Sequence, residues 1–234
     1  MNKNSLLFNF LIIISMVIWG GSWISAKVLT KFLDPISLTF LRFFVSVVFF
    51  IPLILIQKSS LKIEFKKSKY LILGAISMGL YFLFFFKGLE KGYANMGGVF
   101  VTSLVPIYTL LLVKYFMKKG FNKIDYIGVI MGFLGGLIIM KVWELKIDKL
   151  FLDGNVYFLI CPLLWAVVTI CSEKSSKDFS TIKFAFYCHI FCTVFFLFFL
   201  KSSFLEVFSF NYLFWTNVFY LSVLSSIIAT TLYF

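Results

Sequence analysis

The sequence predicts an all-α, polytopic membrane protein, and three observations support this class. Of the 234 residues, 61% are hydrophobic and 21% aromatic, whereas only 14% are charged. Soluble domains are about 45–50% apolar and about 25% charged, so a water-soluble core has no room for this excess. Apolar runs of roughly 20 residues, enough to cross the hydrocarbon layer, recur along the chain. In lipid each segment must satisfy its own backbone, which favours helices over open strands.

Eight apolar segments follow one another, joined by short connections that contain mostly Lys, Asp, Asn or Gly. They cover residues 5–26, 35–57, 70–89, 93–117, 124–142, 151–172, 180–200 and 210–234. The first segment begins after Lys3 like a signal peptide, but its apolar stretch continues to about Ala26, so we predict a retained helix. All eight are too long and too uniformly apolar for barrel strands, which alternate over about 10 residues.

The basic residues predict an orientation. The densest lysine clusters follow the second and fourth segments, in "KSSLKIEFKKSK" and "KYFMKKGFNK". Because lysine collects in cytoplasmic loops, the N-terminus is predicted to be cytoplasmic in a multi-pass protein of the cell membrane, plasma or bacterial inner. The net charge of +12 is therefore attributed to these loops. We expect the lipid bilayer as a partner and no nucleic acid.

An internal repeat is indicated by three matches in the same order. "MVIWGGSWISAK" in the first segment matches "PLLWAVVTICSEK" in the sixth, "DPISLTFLRF" matches "DFSTIKFAFY", and "AISMGLYF" matches "IIATTLYF". We predict a first repeat over 1–142 and an incomplete second repeat over 151–234. A unit of five helices is odd, so the second copy would insert upside down. Inverted repeats are typical of transporters, with the substrate path between the halves.

The chain resembles the EamA-type transporters of the drug/metabolite transporter superfamily. The resemblance is carried by "WGGSWISAK", "DPISLTFLRF", "FFFKGLEKGYANMGGVFVTSLVPIYTLLL", "IGVIMGFLGGLIIM" and "LLWAVVTICSEK". It implies ten helices in two inverted five-helix repeats, with a substrate cavity between the first four helices of each. It also implies transport of an amino acid-, nucleoside- or drug-like metabolite by alternating access, with export as the expected direction.

Two departures from this family pattern stand out. Such transporters usually carry a Glu just before the fifth helix, where this sequence has Lys118 or Lys119, so an ion pair formed by that Glu would be absent or inverted. The sequence also ends in "ATTLYF", inside the eighth segment. By analogy with the first repeat, we expect the ninth and tenth helices to be missing. A truncated membrane protein that no longer transports is therefore the alternative function.

Polar and aromatic residues within the segments are the candidates for substrate binding, because polar groups in lipid usually face the bundle interior or a cavity. Hydroxyls, amides and aromatic planes would orient and pack a ligand. The alternative is helix–helix packing, which favours the same small and hydroxyl residues. The candidates are Trp19, Ser22, Arg42, Tyr81, Asn95, Thr102, Trp165, Thr169 and His189.

Two of these candidates are ionisable. Arg42 lies about 10 Å into the second segment at 1.5 Å per residue, where it would attract a carboxylate or, alternatively, extend to the interface or pair with a helix end. His189 is the single histidine and would be a proton relay or a hydrogen-bonded packing residue. No Asp or Glu lies centrally in any segment, which argues against an obvious proton antiport.

Other chemistries find little support. The four cysteines lie inside apolar runs without a CxxC pair, so we expect no metal site and no cofactor. HExxH, P-loop and paired intramembrane carboxylates are missing from the sequence, and we predict no enzyme. Gly128, Gly132 and Gly136 form overlapping GxxxG patterns in the fifth segment, which indicate either a homodimer face or packing within the protein.

Overall fold

The computed structural model describes residues 3–56, 68–139, 141, 143, 154–178 and 180–233. Within these residues the chain is helical and contains no strand. The helices are α1 Lys3–Leu29, α2 Pro35–Ile56, α3 Lys69–Lys91, α4 Ala94–Leu112, α5 Lys123–Ile139, α6 Asn155–Ser175, α7 Thr181–Leu197 and α8 Tyr212–Phe219. A π-helical turn, Val113–Met117, ends α4, and a 3₁₀ helix, Ser202–Ser209, follows α7. Beyond α8 the chain continues as a π-helix, Tyr220–Ala229, and a last α-helical turn, Thr230–Tyr233.

All eight predicted segments contain a helix in the described part of the chain. Predicted positions 57, 140, 142, 151–153 and 234 lie outside the described residues, as does the basic connection 58–67 that was used to predict orientation. Six helices are long and apolar enough to cross a membrane, and a seventh span would be α7 together with the 3₁₀ helix, which meet at 116°. The predicted polytopic all-α class is confirmed.

Three helix starts follow from local hydrogen bonds. Asp34 precedes α2, and its carboxylate accepts from the backbone N–H of Ile36 at 3.0 Å and from the Ser37 hydroxyl at 2.6 Å. Ser180 caps α7 by accepting from the N–H of Lys183, and Asn211 caps α8 in the same way. These caps satisfy N–H groups that a helix end leaves without an intrahelical partner.

The helices form two compact units. Unit 1 contains α1, α2, α7, α8 and the π-helix, whereas unit 2 contains α3 to α6. In unit 1, α2 packs against α7 through Phe50, Ile54, Ala185 and Phe186, which are buried with Ile227 of the π-helix. Each unit takes helices from both predicted repeats, so the units do not coincide with 1–142 and 151–234. The repeat therefore stays a prediction.

Unit 2 is held together by close contacts at glycines. A Cβ on Gly154, at the start of α6, would collide with the backbone of Lys91 and Gly92 at the end of α3. One turn earlier in α3, Gly88 lies directly against the ring of Phe158. Small residues let helix backbones approach closely, which is the main source of helix association in lipid. The missing side chains at Gly88 and Gly154 therefore allow α3 and α6 to pack closely at one end.

Candidate functional site

The centre of unit 1 holds a buried arginine. Arg42 on α2 exposes only 6% of its surface. Its Nη2 donates to the hydroxyl of Ser226 at 3.0 Å and to that of Ser225 at 3.4 Å. The guanidinium therefore lies inside unit 1 on the π-helix. This burial argues against extension of the side chain to the interface, and pairing with a helix end stays a prediction.

The π-helix positions the groups that meet Arg42. Ser222, Ser225 and Ser226 are all buried on it. The Ser222 carbonyl accepts from the Ser46 hydroxyl at 2.9 Å, and the Ser226 hydroxyl donates to the Leu221 carbonyl, five residues back. In a π-helix the hydrogen bonds run five residues apart, and such segments often occur at functional sites. Here the winding turns both hydroxyls and carbonyls toward α1 and α2.

These serines were missing from the sequence-based candidates. They are separated by three and one residues, so on a helix they share one face. That spacing was the available signal. The predicted match between the eighth and third segments does not include these serines, because "IIATTLYF" begins after Ser226. We define the serine–arginine cluster as Arg42, Ser46, Ser222, Ser225 and Ser226.

Trp19 joins this cluster from α1. Its indole Nε1 donates to the Ser225 carbonyl at 3.0 Å. Trp19 and Arg42 therefore meet on the same serine, one at its carbonyl and the other at its hydroxyl. Ser22 is buried one turn later, where its hydroxyl donates to the Trp19 carbonyl at 2.6 Å. The structure brings the three candidates Trp19, Ser22 and Arg42 together, and their role in substrate binding stays a prediction.

His189 lies on α7 beside the same cluster. Its Nδ1 is 2.7 Å from the Ala185 carbonyl, and its ring meets Phe43 and Phe50 edge-on at centroid distances of 5.1 and 5.2 Å. The side chain is buried, and its Nε2 has no hydrogen-bond partner among the described residues. With Nδ1 donating to the carbonyl, Nε2 is a buried acceptor that the described residues leave unsatisfied.

A cavity of about 190 Å³ opens next to this histidine. It is lined by four hydroxyl residues and three apolar ones: Phe50, Ser180, Thr181, Ile182, Ala185, Thr230 and Thr231. Phe50 and Ala185 contact His189 from the other side. Unit 1 thus contains two polar regions, the serine–arginine cluster and the hydroxyls that line this cavity.

Three other candidates lie together in unit 2, where two of them, Tyr81 and Trp165, form an aromatic cluster with Phe82. The ring of Tyr81 lies 4.9 Å from that of Trp165, and Phe82 contacts the same indole at 6.3 Å. The Thr169 hydroxyl donates to the Trp165 carbonyl at 3.0 Å, within its own helix. The ring contacts pack α3 against α6, and the predicted role of these three candidates in substrate binding stays a prediction.

Asn95 and Thr102 lie on an exposed face of α4 in the described structure. The Thr102 hydroxyl donates to the Gly98 carbonyl at 2.7 Å, a bond within the same helix. Their predicted role in a substrate cavity stays a prediction. The nine candidates thus divide into Trp19, Ser22, Arg42 and His189 in unit 1 and the remaining five in unit 2.

The predicted glycine face of α5 is used unevenly. Gly136 packs against Ser103 and Val99 of α4, whereas a Cβ at Gly128 or Gly132 would meet no atom within 4 Å. Packing within the protein therefore accounts for Gly136, and the homodimer stays a prediction. Lys119, one of the two lysines expected at the position of the family's Glu, forms an exposed ion pair with Glu173 at 3.9 Å.

Comparisons with known proteins agree with the sequence resemblance. The EamA-like transporter family matches residues 6–141. An uncharacterized transporter of Archaeoglobus fulgidus is 25% identical over 229 residues, which cover 97% of this chain and 78% of the relative. The uncharacterized transporter YoaV of Bacillus subtilis is 26% identical over 167 residues, covering 71% of this chain. That alignment spans 57% of the length of YoaV.

A solved crystal structure has the same fold. It superposes with a TM-score of 0.70 at 17% sequence identity, covering 99% of this chain and 78% of the other. At this identity the similarity establishes the arrangement of the helices, and the chemistry has to be argued from the residues themselves.

Proposed function

As a member of the EamA-like transporter family, this chain is a multi-pass membrane transporter, and we propose that it moves a small amino acid-like metabolite. Among the amino acid-, nucleoside- and drug-like classes, the buried arginine favours a substrate that bears a carboxylate. We further propose outward transport by alternating access across the cell membrane, with the N-terminus in the cytoplasm. Direction and topology are supported by the family resemblance and the lysine distribution. No catalytic activity is proposed.

The observation that carries this proposal is the placement of Arg42. It is the single arginine in a sequence that has 22 basic residues, so every other cation is a lysine. Lysine and arginine differ in that the planar guanidinium stays charged when buried and binds a carboxylate through two parallel hydrogen bonds. A cation within a membrane span is expensive and usually marks a substrate path.

The neighbours of Arg42 suit a carboxylate. Each serine hydroxyl both donates and accepts, so Ser225 and Ser226 can hold the guanidinium in the empty state and donate to a carboxylate in the occupied state. The indole of Trp19 supplies an aromatic surface for the apolar part of the substrate. In this scheme the acceptor Nε2 of His189 would receive a hydrogen bond from the substrate amino group.

Transport into proteoliposomes tests the proposal. The purified chain would be reconstituted and assayed by counterflow with radiolabelled neutral and acidic amino acids, their decarboxylated amines, and nucleosides. We expect counterflow of amino acids and none of the amines. The variants are Arg42→Lys, Arg42→Gln and, as a matched control, Lys31→Gln, which removes an exposed charge at the end of α1.

The Arg42→Lys variant loses the bidentate contact with the carboxylate. Because a hydrogen bond to a charged group contributes about 1.5–3 kcal/mol, we expect its transport to fall on the order of 10- to 100-fold. Arg42→Gln should transport less still, and Lys31→Gln should match the wild type. If Arg42→Gln still shows counterflow of nucleosides, the proposal of a carboxylate substrate is refuted, whereas the proposal that the chain is a transporter is retained. Absence of counterflow for every solute would refute transport of these classes by this chain.

A further inference from the structure

One end of unit 2 gathers lysine ammonium groups around tyrosine rings. Lys69 and Lys174 place their Nζ atoms 4.8 and 5.4 Å from the centroid of the same ring, that of Tyr70. Lys114 places its Nζ 5.8 Å from the ring of Tyr126. These lysines come from three different helical segments, so the fold rather than the local sequence brings them together.

Two further contacts tie this end together. The Lys174 ammonium donates to the Phe116 carbonyl at 3.5 Å, and Lys114 donates to the Tyr126 hydroxyl at 3.3 Å. The ion pair of Lys119 with Glu173 lies at the same end. We define the lysine–tyrosine cluster as Lys69, Tyr70, Lys114, Lys119, Tyr126 and Lys174. Among the described residues, the carboxylate of Glu173 forms an ion pair with one of these four lysines, Lys119, so the lysines outnumber it and the cluster is cationic.

The cluster lies at the level where spans end. Helix α3 begins at Lys69, the span of α4 ends at Met117, and α6 ends at Ser175. Each of these helices is long and apolar enough to cross the membrane, so their shared end lies at the boundary between hydrocarbon and water. Tyrosine rings and lysine ammonium groups are both enriched at this depth. The phosphates of the lipid headgroups lie at the same height.

We propose that the lysine–tyrosine cluster binds the headgroup of an anionic phospholipid, with the phosphate between the ammonium groups of Lys69 and Lys174. Lysine is an effective phosphate ligand as a point charge, and basic pockets between membrane helices bind anionic headgroups. Both ammonium groups lie within 5.4 Å of the Tyr70 ring centroid, so the ring keeps them near each other before the lipid arrives. This function is separate from substrate transport and does not depend on Arg42.

Native mass spectrometry of the full chain provides the test. The purified protein would be titrated with phosphatidylglycerol or phosphatidylcholine, and the dissociation constant of the first bound lipid would be measured. The wild type should prefer phosphatidylglycerol. The double variant Lys69→Gln with Lys174→Gln should bind it on the order of 25-fold more weakly, at about fivefold per lysine. Phosphatidylcholine binding should not change.

Two variants make the result specific. Lys87→Gln with Lys91→Gln removes two charges from the opposite end of α3 and should change the affinity less than twofold. Glu173→Gln removes the carboxylate beside Lys119 and should tighten phosphatidylglycerol binding, a gain that a damaged fold cannot produce. Inorganic phosphate serves as the soluble probe and should not bind saturably.

The proposal is overturned by any of three results. The first is that the Lys69 and Lys174 double variant keeps the wild-type affinity for phosphatidylglycerol. The second is that the Lys87 and Lys91 control loses as much affinity as that double variant is expected to lose. The third is that Glu173→Gln fails to tighten the binding. Saturable binding of inorganic phosphate that disappears in the Lys69 and Lys174 variant would assign the cluster to a soluble anion instead of a lipid.

Discussion

Unit 1 and unit 2 fill their interiors with different groups. Most of the buried polar side chains in the described residues belong to unit 1, among them Arg42, His189 and three serines of the π-helix. Unit 2 buries few polar groups and instead packs closely at Gly88 and Gly154 and places the Tyr81 ring against that of Trp165. Both units contain candidate membrane spans, so helices in the same lipid environment are held together by two different kinds of contact.

We interpret the contrast as a division of roles, with substrate binding in one unit and structural support in the other. In lipid, helices associate through close packing or through polar contacts between helices, because the apolar side chains gain nothing by leaving the lipid. Unit 2 uses close packing, which gives a stiff bundle with little capacity to bind a polar solute. Unit 1 uses hydroxyls, carbonyls and a guanidinium, which are the groups that a polar substrate requires. This contrast supports our proposal that the substrate binds in unit 1.

The largest effect on stability is expected at the glycine contact of unit 2. Gly154→Ala places a Cβ against the backbone of Lys91 and Gly92, which cannot rotate away as a side chain would. Overpacking of this kind destabilises by about 3 kcal/mol or more. The midpoint of thermal unfolding in detergent should therefore fall by roughly 6–12 °C.

Gly128→Ala is the matched control, because a Cβ there meets no atom within 4 Å. Alanine favours a helix over glycine by about 1 kcal/mol, so this variant should melt at or slightly above the wild-type midpoint. If Gly154→Ala also melts like the wild type, the close approach of α3 and α6 is not what holds unit 2 together.

A smaller loss is expected in the polar core of unit 1. Ser226→Ala removes the hydroxyl that accepts from Arg42 at 3.0 Å. Hydrogen bonds to charged groups contribute about 1.5–3 kcal/mol, so we expect a loss of about 2 kcal/mol and reduced amino acid counterflow.

The control is Thr102→Val in unit 2, which keeps the shape and removes a hydroxyl that bonds only within α4 among its described contacts. It should unfold within about 0.5 kcal/mol of the wild type, as surface substitutions usually do. Equal losses in the two variants would mean that the serine–arginine cluster contributes no more than an ordinary helical hydroxyl.

The sequence was sufficient for the fold class and the helices. Uniform apolar runs near 20 residues specify spans almost independently of tertiary structure, and the caps at Asp34, Ser180 and Asn211 act locally. Which spans contact one another was beyond reach, because phenylalanine and leucine occur on every face. The predicted repeats at 1–142 and 151–234 therefore could not reveal that α7 packs on α2.

The site was only partly accessible for a related reason. Trp19, Ser22 and Arg42 stood out because polar groups are rare within spans. The serines that hold Arg42 share a helix face by their spacing, but the π-helix that directs them, with hydrogen bonds five residues apart, was not predicted from the sequence. The lysine–tyrosine cluster was likewise hidden, because Lys69, Lys114 and Lys174 are far apart in the chain.

The finest test compares two tryptophans that the predicted repeat makes equivalent. Trp19 uses its indole N–H to bind the Ser225 carbonyl at 3.0 Å, whereas Trp165 contacts Tyr81 through its ring. Trp19→Phe removes the hydrogen bond to Ser225, whereas Trp165→Phe keeps the aromatic ring through which Trp165 makes its contact. A neutral hydrogen bond contributes about 1 kcal/mol, so Trp19→Phe should lower counterflow about fivefold. Trp165→Phe should remain within about twofold of the wild type, since phenylalanine preserves the packing surface.

Thermal midpoints distinguish the two causes of a transport loss. Both variants retain a large apolar side chain, so both should unfold within about 1 kcal/mol of the wild type. If Trp165→Phe loses transport as strongly as Trp19→Phe while remaining folded, then unit 2 also contacts the substrate. The division between a polar substrate unit and a close-packed supporting unit would then be wrong, and Tyr81 and Thr169 would return as binding residues beside Arg42.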